Sequence, residues 1–231
     1  MEDIISRDNK KIKHIVQLYK RKYRTTHQEF VAEGYRTVMD MLPTGTVRYV
    51  IVNIESIKQE QLEPLLSLCD IYDVQVFSIS DNLWKGIETT VHGQGIIAVV
   101  CQKVHRLEDF RVKENGLYVL IDGVQDPGNL GTLIRTAVGA GVRAMFLTSN
   151  TVDIYNEKTV RSTMSGLCKL PIYTNVTQDS VVKLIEEQGI KLYGTVLEDS
   201  VNYGEPSYEG ATMIALGNEA NGISEDILQL V

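Results

Sequence analysis

Short apolar runs of strand length alternate with helical patterns along the chain, and this alternation restricts the fold to the α/β classes. Leu117–Ile121 is a continuous apolar run, which is typical of a parallel strand covered on both faces. Helical patterns follow at 130–139 and 181–188, and further strands are predicted at 142–147, 191–197 and 212–216. The pattern predicts a parallel sheet with helices on both sides, whose ligands bind beyond the carboxyl ends of the strands.

The first hundred residues show a weaker form of the same alternation. A helix is predicted at 12–19, where apolar residues recur at helical spacing, and a strand is predicted at 47–52, where β-branched residues dominate. The segment 102–116 is charged and has no sustained apolar period, which indicates a linker. We therefore predict a small α/β domain at residues 1–101, a linker at 102–116 and a second domain at 117–231.

The charge of the chain is distributed unevenly. The net charge is −7, yet residues 1–36 carry nine bases and five acids, so that this segment is +4 and the remainder is −11. Tyr19, Tyr23 and Tyr35 interleave with these cations, and aromatic rings beside cations offer stacking surfaces for unpaired bases. The segment predicts either an RNA-binding surface or a solvated helix face. The cations that we expect to contact RNA are Lys20, Arg21, Lys22 and Arg24.

Several classes of protein are disfavoured by composition. No apolar run approaches the ~20 residues of a membrane span, and the N-terminus lacks an apolar signal segment, so we expect a cytoplasmic protein without a membrane partner. The three cysteines and four histidines are scattered without metal-ligand spacing. We expect reduced thiols and no bound metal.

Two strand-to-helix segments have the composition of ligand-binding sites. In the first, a strand ends at Ile121, a loop rich in Gly and Pro follows, and a helix is predicted to begin near Asn129, a favoured N-cap residue. Arg135 lies two turns into that helix. The loop matches neither the phosphate-binding loop of nucleotide triphosphatases nor the dinucleotide fingerprint, which disfavours both classes.

The second segment is the strand 212–216 and the residues that follow it. The strand leads into Gly217, where only a hydrogen atom separates the backbone from whatever approaches it. Asn218 and Glu219 are then expected at the carboxyl edge of the sheet, and Ser224 is expected to cap the next helix. A third, basic stretch at 158–166 includes Arg161 and predicts either a phosphate contact or an ordinary loop.

Together and in this order, these segments resemble the SpoU family of RNA methyltransferases. Residues 128–131 (GNLG) with 135–137 (RTA) look like the first SpoU motif, and 216–219 (LGNE) with 222–224 (GIS) look like the second. Residues 30–34 and 93–98 are similar to the substrate-binding domain of the family, which has an L30e/L7Ae-type fold. The likeness covers nearly the whole chain.

The resemblance implies a fold, an activity and an assembly. The fold is an N-terminal L30e/L7Ae-like α/β domain followed by a parallel-sheet α/β domain with a trefoil knot, the SPOUT architecture. The activity is transfer of a methyl group from S-adenosylmethionine to a ribose 2′-hydroxyl of a structured RNA. We favour ribosomal over transfer RNA because a separate N-terminal domain is present. The family also implies a homodimer whose sites form at the interface.

The resemblance also implies roles for individual residues. Leu216 and Gly217 match positions that hold the cofactor, and Thr195 is expected to line the same pocket. Arg135 matches the residue that activates the ribose hydroxyl, with Asn129 and Glu219 beside it. Because arginine is normally always protonated, two versions of that role stay open: a base in a strongly perturbed environment, or a cation that orients the 2′-oxygen and an adjacent phosphate.

The sequence departs from the family pattern in two places. The third motif of the family is absent, and we expect that the natural chain is longer and that part of the cofactor pocket lies in the missing portion. Gly166 stands one place later than the glycine of the family, which weakens the assignment of Arg161. Two alternatives therefore remain: a non-catalytic RNA-binding protein of the same ancestry, and an α/β enzyme for another nucleotide cofactor.

Overall fold

The structure is a computed structural model that describes residues 1–90, 94–197 and 200–231. The N-terminal half contains, in order, β1 (Glu2–Ile4), α1 (Lys10–Leu18), α2 (Arg21–His27), β2 (Glu29–Glu33), α3 (Tyr35–Met41), β3 (Val47–Asn53), α4 (Gln59–Ile71), β4 (Gln75–Ile79), α5 (Asp81–Trp84) and β5 (Ile96–Cys101). The C-terminal half contains β6 (Leu117–Ile121), α6 (Pro127–Gly139), β7 (Ala144–Thr148), α7 (Glu157–Ser162), β8 (Ile172–Val176), α8 (Gln178–Glu186), β9 (Lys191–Gly194), β10 (Thr212–Leu216) and α9 (Glu225–Leu228).

The chain forms two compact units, and neither is continuous in sequence. Unit 1 comprises residues 1–103 and 153–168, and unit 2 comprises 104–152 and 169–231. We expected 153–168 in the C-terminal domain, but Val160 and Tyr155 of this segment pack into an apolar core of unit 1. The predicted domain limits of 1–101, 102–116 and 117–231 stay a prediction.

Unit 1 is built on a mixed five-stranded sheet of order β1-β4-β3-β5-β2. Strands β1, β4 and β3 are parallel, whereas β5 is antiparallel to both β3 and β2. Both faces are covered: Val50 and Val52 point into one apolar core, and Ile51 points into the other. The alternation follows from the two-residue repeat of a strand, and it explains why the run 47–52 is apolar throughout.

Unit 2 contains a five-stranded sheet of order β8-β7-β6-β10-β9, in which every pair is parallel. The prediction of a parallel α/β fold is confirmed. β6 and β10 lie next to each other, with Ile121 opposite Leu216, so the loops that follow these strands meet at one edge of the sheet. The trefoil knot and the L30e/L7Ae likeness stay predictions.

β8 and α7 are among the elements that were not predicted from the sequence. β8 escaped notice because Thr174 and Asn175 interrupt its apolar pattern, and Asn175 adopts a left-handed conformation with φ of 58°. α7 lies where a loop was one of two expectations, and the side chain of Asn156 caps it by accepting from the Lys158 amide.

The described residues contain neither a membrane-spanning helix nor a cluster of metal-ligating side chains. None of the helices in these ranges has the length and apolar character needed to cross a bilayer. Within the same ranges, no three or more His, Cys, Asp or Glu side chains are grouped so that they could hold a metal ion.

Candidate active site

The loop after β6 positions the first candidate residue of unit 2. Helix α6 begins at Pro127, and its N-cap is Asp126, whose carboxylate accepts from the Asn129 amide at 2.8 Å. The expectation that Asn129 is the N-cap was wrong. Pro127 suits the first helical position because its missing N–H would have no partner there. The side chain of Asn129 is consequently available for another interaction.

The side chain of Asn129 binds Glu219, so the structure brings together two of the three predicted catalytic residues. Nδ2 of Asn129 donates to Oε1 of Glu219 at 2.9 Å, and the Gln125 amide donates to Oε2 at 3.4 Å. The Asn129 hydrogen bond is the main cause that holds the pKa of Glu219 below its usual value. The carboxylate thus stays ionised and fixes the orientation of the Asn129 amide.

Gly217 is required by the turn that follows β10. The Asn218 amide donates to the Gly222 carbonyl at 2.8 Å, and the Gly222 amide donates back at 2.9 Å. A Cβ atom at Gly217 would lie 2.1 Å from the Gly222 carbonyl carbon, a distance that no real contact allows. The close approach inferred from the sequence is therefore made by the backbone of the chain itself.

Two polar residues tie these loops together: Asn218, which was expected at this edge, and Asp122, which the sequence reasoning did not single out. Asp122, only 3% exposed, accepts from the Ser224 amide at 2.7 Å and from the Thr148 hydroxyl at 3.1 Å. Nδ2 of Asn218 donates to the Gly123 carbonyl at 2.8 Å. A buried acid directly after a buried strand was the signal that would have identified Asp122.

Thr195 lies beside β10, as predicted. It follows β9, and both its amide and its hydroxyl donate to the Ala215 carbonyl at 3.1 Å. Because Gly194 pairs with Ala215, Thr195 stands next to Leu216 of the neighbouring strand. Glu198 and Asp199, which follow shortly, lie outside the described residues.

The residues at this edge fit S-adenosylmethionine. Thr195, Leu216 and Gly217 combine backbone groups, one apolar side chain and one hydroxyl, a donor set suited to the uncharged adenine and ribose. All of these groups are positioned by the strands and turn of unit 2.

Arg135 lies on an exposed part of α6. Its guanidinium makes no hydrogen bond or ion pair to the residues that the structure describes. Arg135 stands seven residues after Gly128, two helical turns along the same face, whereas Asn129 projects from a different face. The structure thus joins Asn129 to Glu219 and leaves Arg135 available to a ligand.

The basic segment of unit 1 separates into exposed and buried cations. Lys20, Arg21 and Lys22 are exposed, as an RNA-binding surface requires. Arg24 is only 4% exposed and donates to Asp153 Oδ2 at 2.8 Å and to the Leu18 and Tyr19 carbonyls. The assignment of Arg24 to RNA contact was therefore wrong, because its guanidinium is already satisfied inside the unit.

The predicted RNA surface also includes tyrosines and Arg161, and the surroundings of these residues differ. Tyr19 packs against an apolar core, and its hydroxyl donates to the Ile87 carbonyl at 2.5 Å; burial raises the pKa of Tyr19 well above its usual value. Its ring is therefore not a free stacking surface. Tyr23 stacks on His27 at 6.4 Å between ring centroids. Arg161 is exposed on α7 of unit 1, 3.5 Å from the Thr89 hydroxyl.

A parallel sheet with polar residues and a cofactor-compatible donor set at its carboxyl edge defines an α/β cofactor-dependent enzyme. Residues 116–231 match the SpoU rRNA Methylase family, and residues 9–98 match the MRM3-like substrate binding domain. The chain belongs to the SpoU methylase family. It is an RNA methyltransferase, and its cofactor is S-adenosylmethionine.

Individual relatives agree with this assignment. The chain is 32% identical over 230 residues to the 23S rRNA (guanosine(2553)-2′-O)-methyltransferase RlmP of Bacillus subtilis, covering 99% of this chain and 87% of the relative. It is 28% identical to the human mitochondrial rRNA methyltransferase 3 over 167 residues, covering 70% of this chain and 38% of that protein. The AdoMet-bound rRNA methyltransferase of Sinorhizobium meliloti superposes with a TM-score of 0.87 at 28% identity, covering 99% and 85%.

Proposed function

We propose that this protein methylates a ribose 2′-hydroxyl of ribosomal RNA, with a nucleotide of 23S rRNA as the favoured target. The similarity to RlmP over almost the whole of both chains carries this proposal, because it includes the substrate-binding half as well as the methylase half. The exposed cations Lys20, Arg21 and Lys22 support an RNA partner.

The residues at the edge of unit 2 have two roles: some hold the cofactor, and others orient the ribose hydroxyl. The cofactor supplies an electrophilic methyl group. Leu216, Gly217 and Thr195 would hold the bound cofactor. Glu219 orients the Asn129 amide, whose oxygen is left to accept from the ribose hydroxyl. These contacts fix the line of approach, and such positioning accounts for a large part of the rate of group transfer.

We assign to Arg135 the orientation of the 2′-oxygen and an adjacent phosphate. Its guanidinium has no partner among the described residues, and its planar donors match a phosphate in two-pronged geometry. An arginine without an ion pair to the described residues, two turns into the helix that carries Asn129, is therefore suited to bind substrate. The identity of the proton acceptor is left open by this assignment.

The assembly and the compartment belong to the same proposal. We propose a cytoplasmic homodimer that needs no metal ion. The dimer is supported by the family likeness, which implies sites formed at the interface between two protomers. Sedimentation of the purified chain at several concentrations tests it; a monomer at all concentrations would contradict the dimer.

The experiment that tests the activity measures methyl transfer from labelled S-adenosylmethionine to unmodified 23S rRNA, with unmodified transfer RNA in parallel. We expect transfer to 23S rRNA at a single ribose, located by resistance of the adjacent phosphodiester bond to alkali. Transfer to transfer RNA alone would contradict the substrate class. Cofactor binding without transfer to either RNA would favour the non-catalytic alternative.

Arg135→Ala provides the matched test of the site. We expect transfer to fall by about 100-fold, as when one hydrogen-bond donor to the reacting group is removed, while titration calorimetry gives nearly unchanged affinity for S-adenosylmethionine. Arg135→Lys keeps the charge but loses the two-pronged geometry, and we expect it to recover only part of the activity. An equal loss of transfer and cofactor affinity in Arg135→Ala would remove Arg135 from the catalytic site.

A further inference from the structure

Unit 1 contains a cavity of about 680 Å³, and three parts of the sequence supply most of its described lining residues. The turn between β2 and α3 forms one wall, residues next to β5 form another, and α7 with the residues after it forms a third. The lining residues that matter here are Glu33, Tyr35, Arg36, Gln94, Arg161 and Ser165. The volume lies within the range of small-ligand pockets and is large enough for one nucleotide.

Ser165 gives the first indication that this cavity binds a ligand. The residue is 0% exposed, and its hydroxyl has no hydrogen-bond partner among the described residues. Its backbone is held in the left-handed region, with φ of 70°. A buried hydroxyl without a partner costs stability, so a polar group that enters the cavity and binds Ser165 would remove that cost.

The charge of the cavity gives the second indication. Arg36 and Arg161 are exposed cations on its walls. Glu33 is the only carboxylate among the described lining residues, and both of its oxygens already accept threonine hydroxyls: Thr89 at 2.7 Å and Thr90 at 2.5 Å. Two cations against one carboxylate give the described lining residues a net positive charge, as a phosphate requires.

The remaining walls offer groups suited to a base. The Tyr35 amide donates to Oε1 of Gln94 at 2.7 Å, which holds the Gln94 amide in place and leaves its Nε2 group to donate elsewhere. The ring of Tyr35 is only partly buried against the core of unit 1. A ring for stacking beside a fixed amide is the combination that recognises unpaired RNA bases.

We propose that this cavity binds one unpaired nucleotide of the RNA substrate, with its phosphate on Arg36 and Arg161 and its base between Tyr35 and Gln94. Ser165 donates its hydroxyl to the same nucleotide. The inference rests on the proposed function for the identity of the RNA, and it assigns to unit 1 a recognition site separate from the strand-end site of unit 2.

Binding can be read directly from Met164, which lines the cavity and is 48% exposed. The full chain would be labelled at its methionine methyl groups and titrated with a mixed-sequence single-stranded RNA tetranucleotide, and the Met164 signal assigned by Met164→Leu. We expect a saturable shift of the Met164 signal, with a Kd of roughly 1 mM or tighter, and smaller changes at the other methionines. A Met164 signal that does not move would overturn the proposal.

Variants separate the contributions of the walls. Arg36→Gln and Arg161→Gln are each expected to weaken binding by about 10-fold or more. Ser165→Gly relaxes the left-handed backbone and removes the hydroxyl, so we expect a fold at least as stable and binding weakened by about 5- to 10-fold. Arg143→Gln with Lys183→Gln removes two exposed charges from unit 2 as a control. Equal loss in the control and in the cavity variants would contradict a specific site.

The methylation assay distinguishes this inference from the proposed function. If both are right, the cavity variants raise KM for RNA and leave S-adenosylmethionine affinity unchanged. If the wild-type chain transfers no methyl group but Met164 still reports saturable binding, the proposed function fails and the nucleotide site stands. If transfer is intact and the cavity variants change neither KM nor the Met164 titration, the nucleotide site fails alone.

Discussion

The strand-end site of unit 2 and the basic segment of unit 1 use side chains in opposite ways. At the strand ends, each polar group is fixed by another: Asp122 holds the Ser224 amide, and Glu219 holds Asn129. In the basic segment, the useful cations are exposed ones whose side chains make no hydrogen bond or ion pair with the described residues, Lys20 and Lys22 among them. Chemistry requires preorganised groups, whereas phosphate attraction requires only charge near the surface.

Gly217→Ala should break the strand-end site completely. A Cβ at this position would lie within 2.3 Å of three backbone atoms of Gly222 and Ile223, so the turn has to open. We expect a loss of about 3 kcal/mol or more in the free energy of unfolding and no measurable binding of S-adenosylmethionine by calorimetry. The control is Gly139→Ala, since a Cβ there would meet nothing within 4 Å. A Gly217→Ala protein that binds cofactor normally would contradict the rigid turn.

Arg24→Met tests the difference between the buried cation of the basic segment and its exposed neighbours. Arg24 and Asp153 form a largely buried ion pair, and removal of one partner leaves the other charge uncompensated. We expect chemical denaturation to show a loss of about 3 kcal/mol, with part of it recovered in Arg24→Met with Asp153→Asn. RNA affinity measured on the folded fraction should change little. A stable Arg24→Met protein with weakened RNA binding would restore Arg24 to the RNA surface.

Replacement of Lys20, Arg21 and Lys22 by Glu should have the opposite effect to Arg24→Met: RNA binding weakens while stability is kept. We expect little change in denaturation midpoint and a weaker affinity for a 23S rRNA fragment. The slope of log affinity against log salt should fall by roughly 0.9 for each phosphate contact that is lost. The control replaces three exposed acids by Lys, so that the number of changes is equal. These acids are Glu63 on α4 and Asp179 and Glu186 on α8. An unchanged salt slope in the triple Glu variant would indicate that the segment is a solvated helix face and does not bind RNA.

The same contrast explains what could be predicted from the sequence. The apolar runs at β6 and β10 fixed the parallel sheet, because burial on both faces leaves few other possibilities. The motifs identified Asn129, Glu219 and Gly217 as neighbours of one edge, and the structure joins the first two.

What the sequence could not show was which partner each polar residue takes. Arg24 and Lys22 look alike in a basic run, yet the partner of Arg24 lies 129 positions away at Asp153. Asn129 looks like an N-cap, but Asp126 competes for that position and Pro127 sets the helix start. Segment 153–168 packs with unit 1 through contacts with strands far away in sequence, which no local pattern records.

The smallest effect that we expect concerns the titration of Glu219. The Asn129 hydrogen bond lowers the pKa of this carboxyl, so Asn129→Ala should raise it toward the ordinary value for glutamate, as followed by carbon NMR of the side chain. Since the pKa is lower in the folded state, the hydrogen bond adds stability above the unfolded pKa, and this is lost as pH falls through the folded pKa. The contribution is small because Glu219 is exposed.

Thr132→Ala is the control for that titration, because Thr132 lies on the same helix and its hydroxyl donates to the Gly128 carbonyl and not to Glu219. We expect the Glu219 titration of this variant to match that of the wild-type chain. If Asn129→Ala also leaves the titration unchanged, the pair does not persist in solution. The strand-end site would then resemble the basic segment, with side chains that are organised only when RNA binds, and Asn129 would lose its assigned role in orienting the ribose.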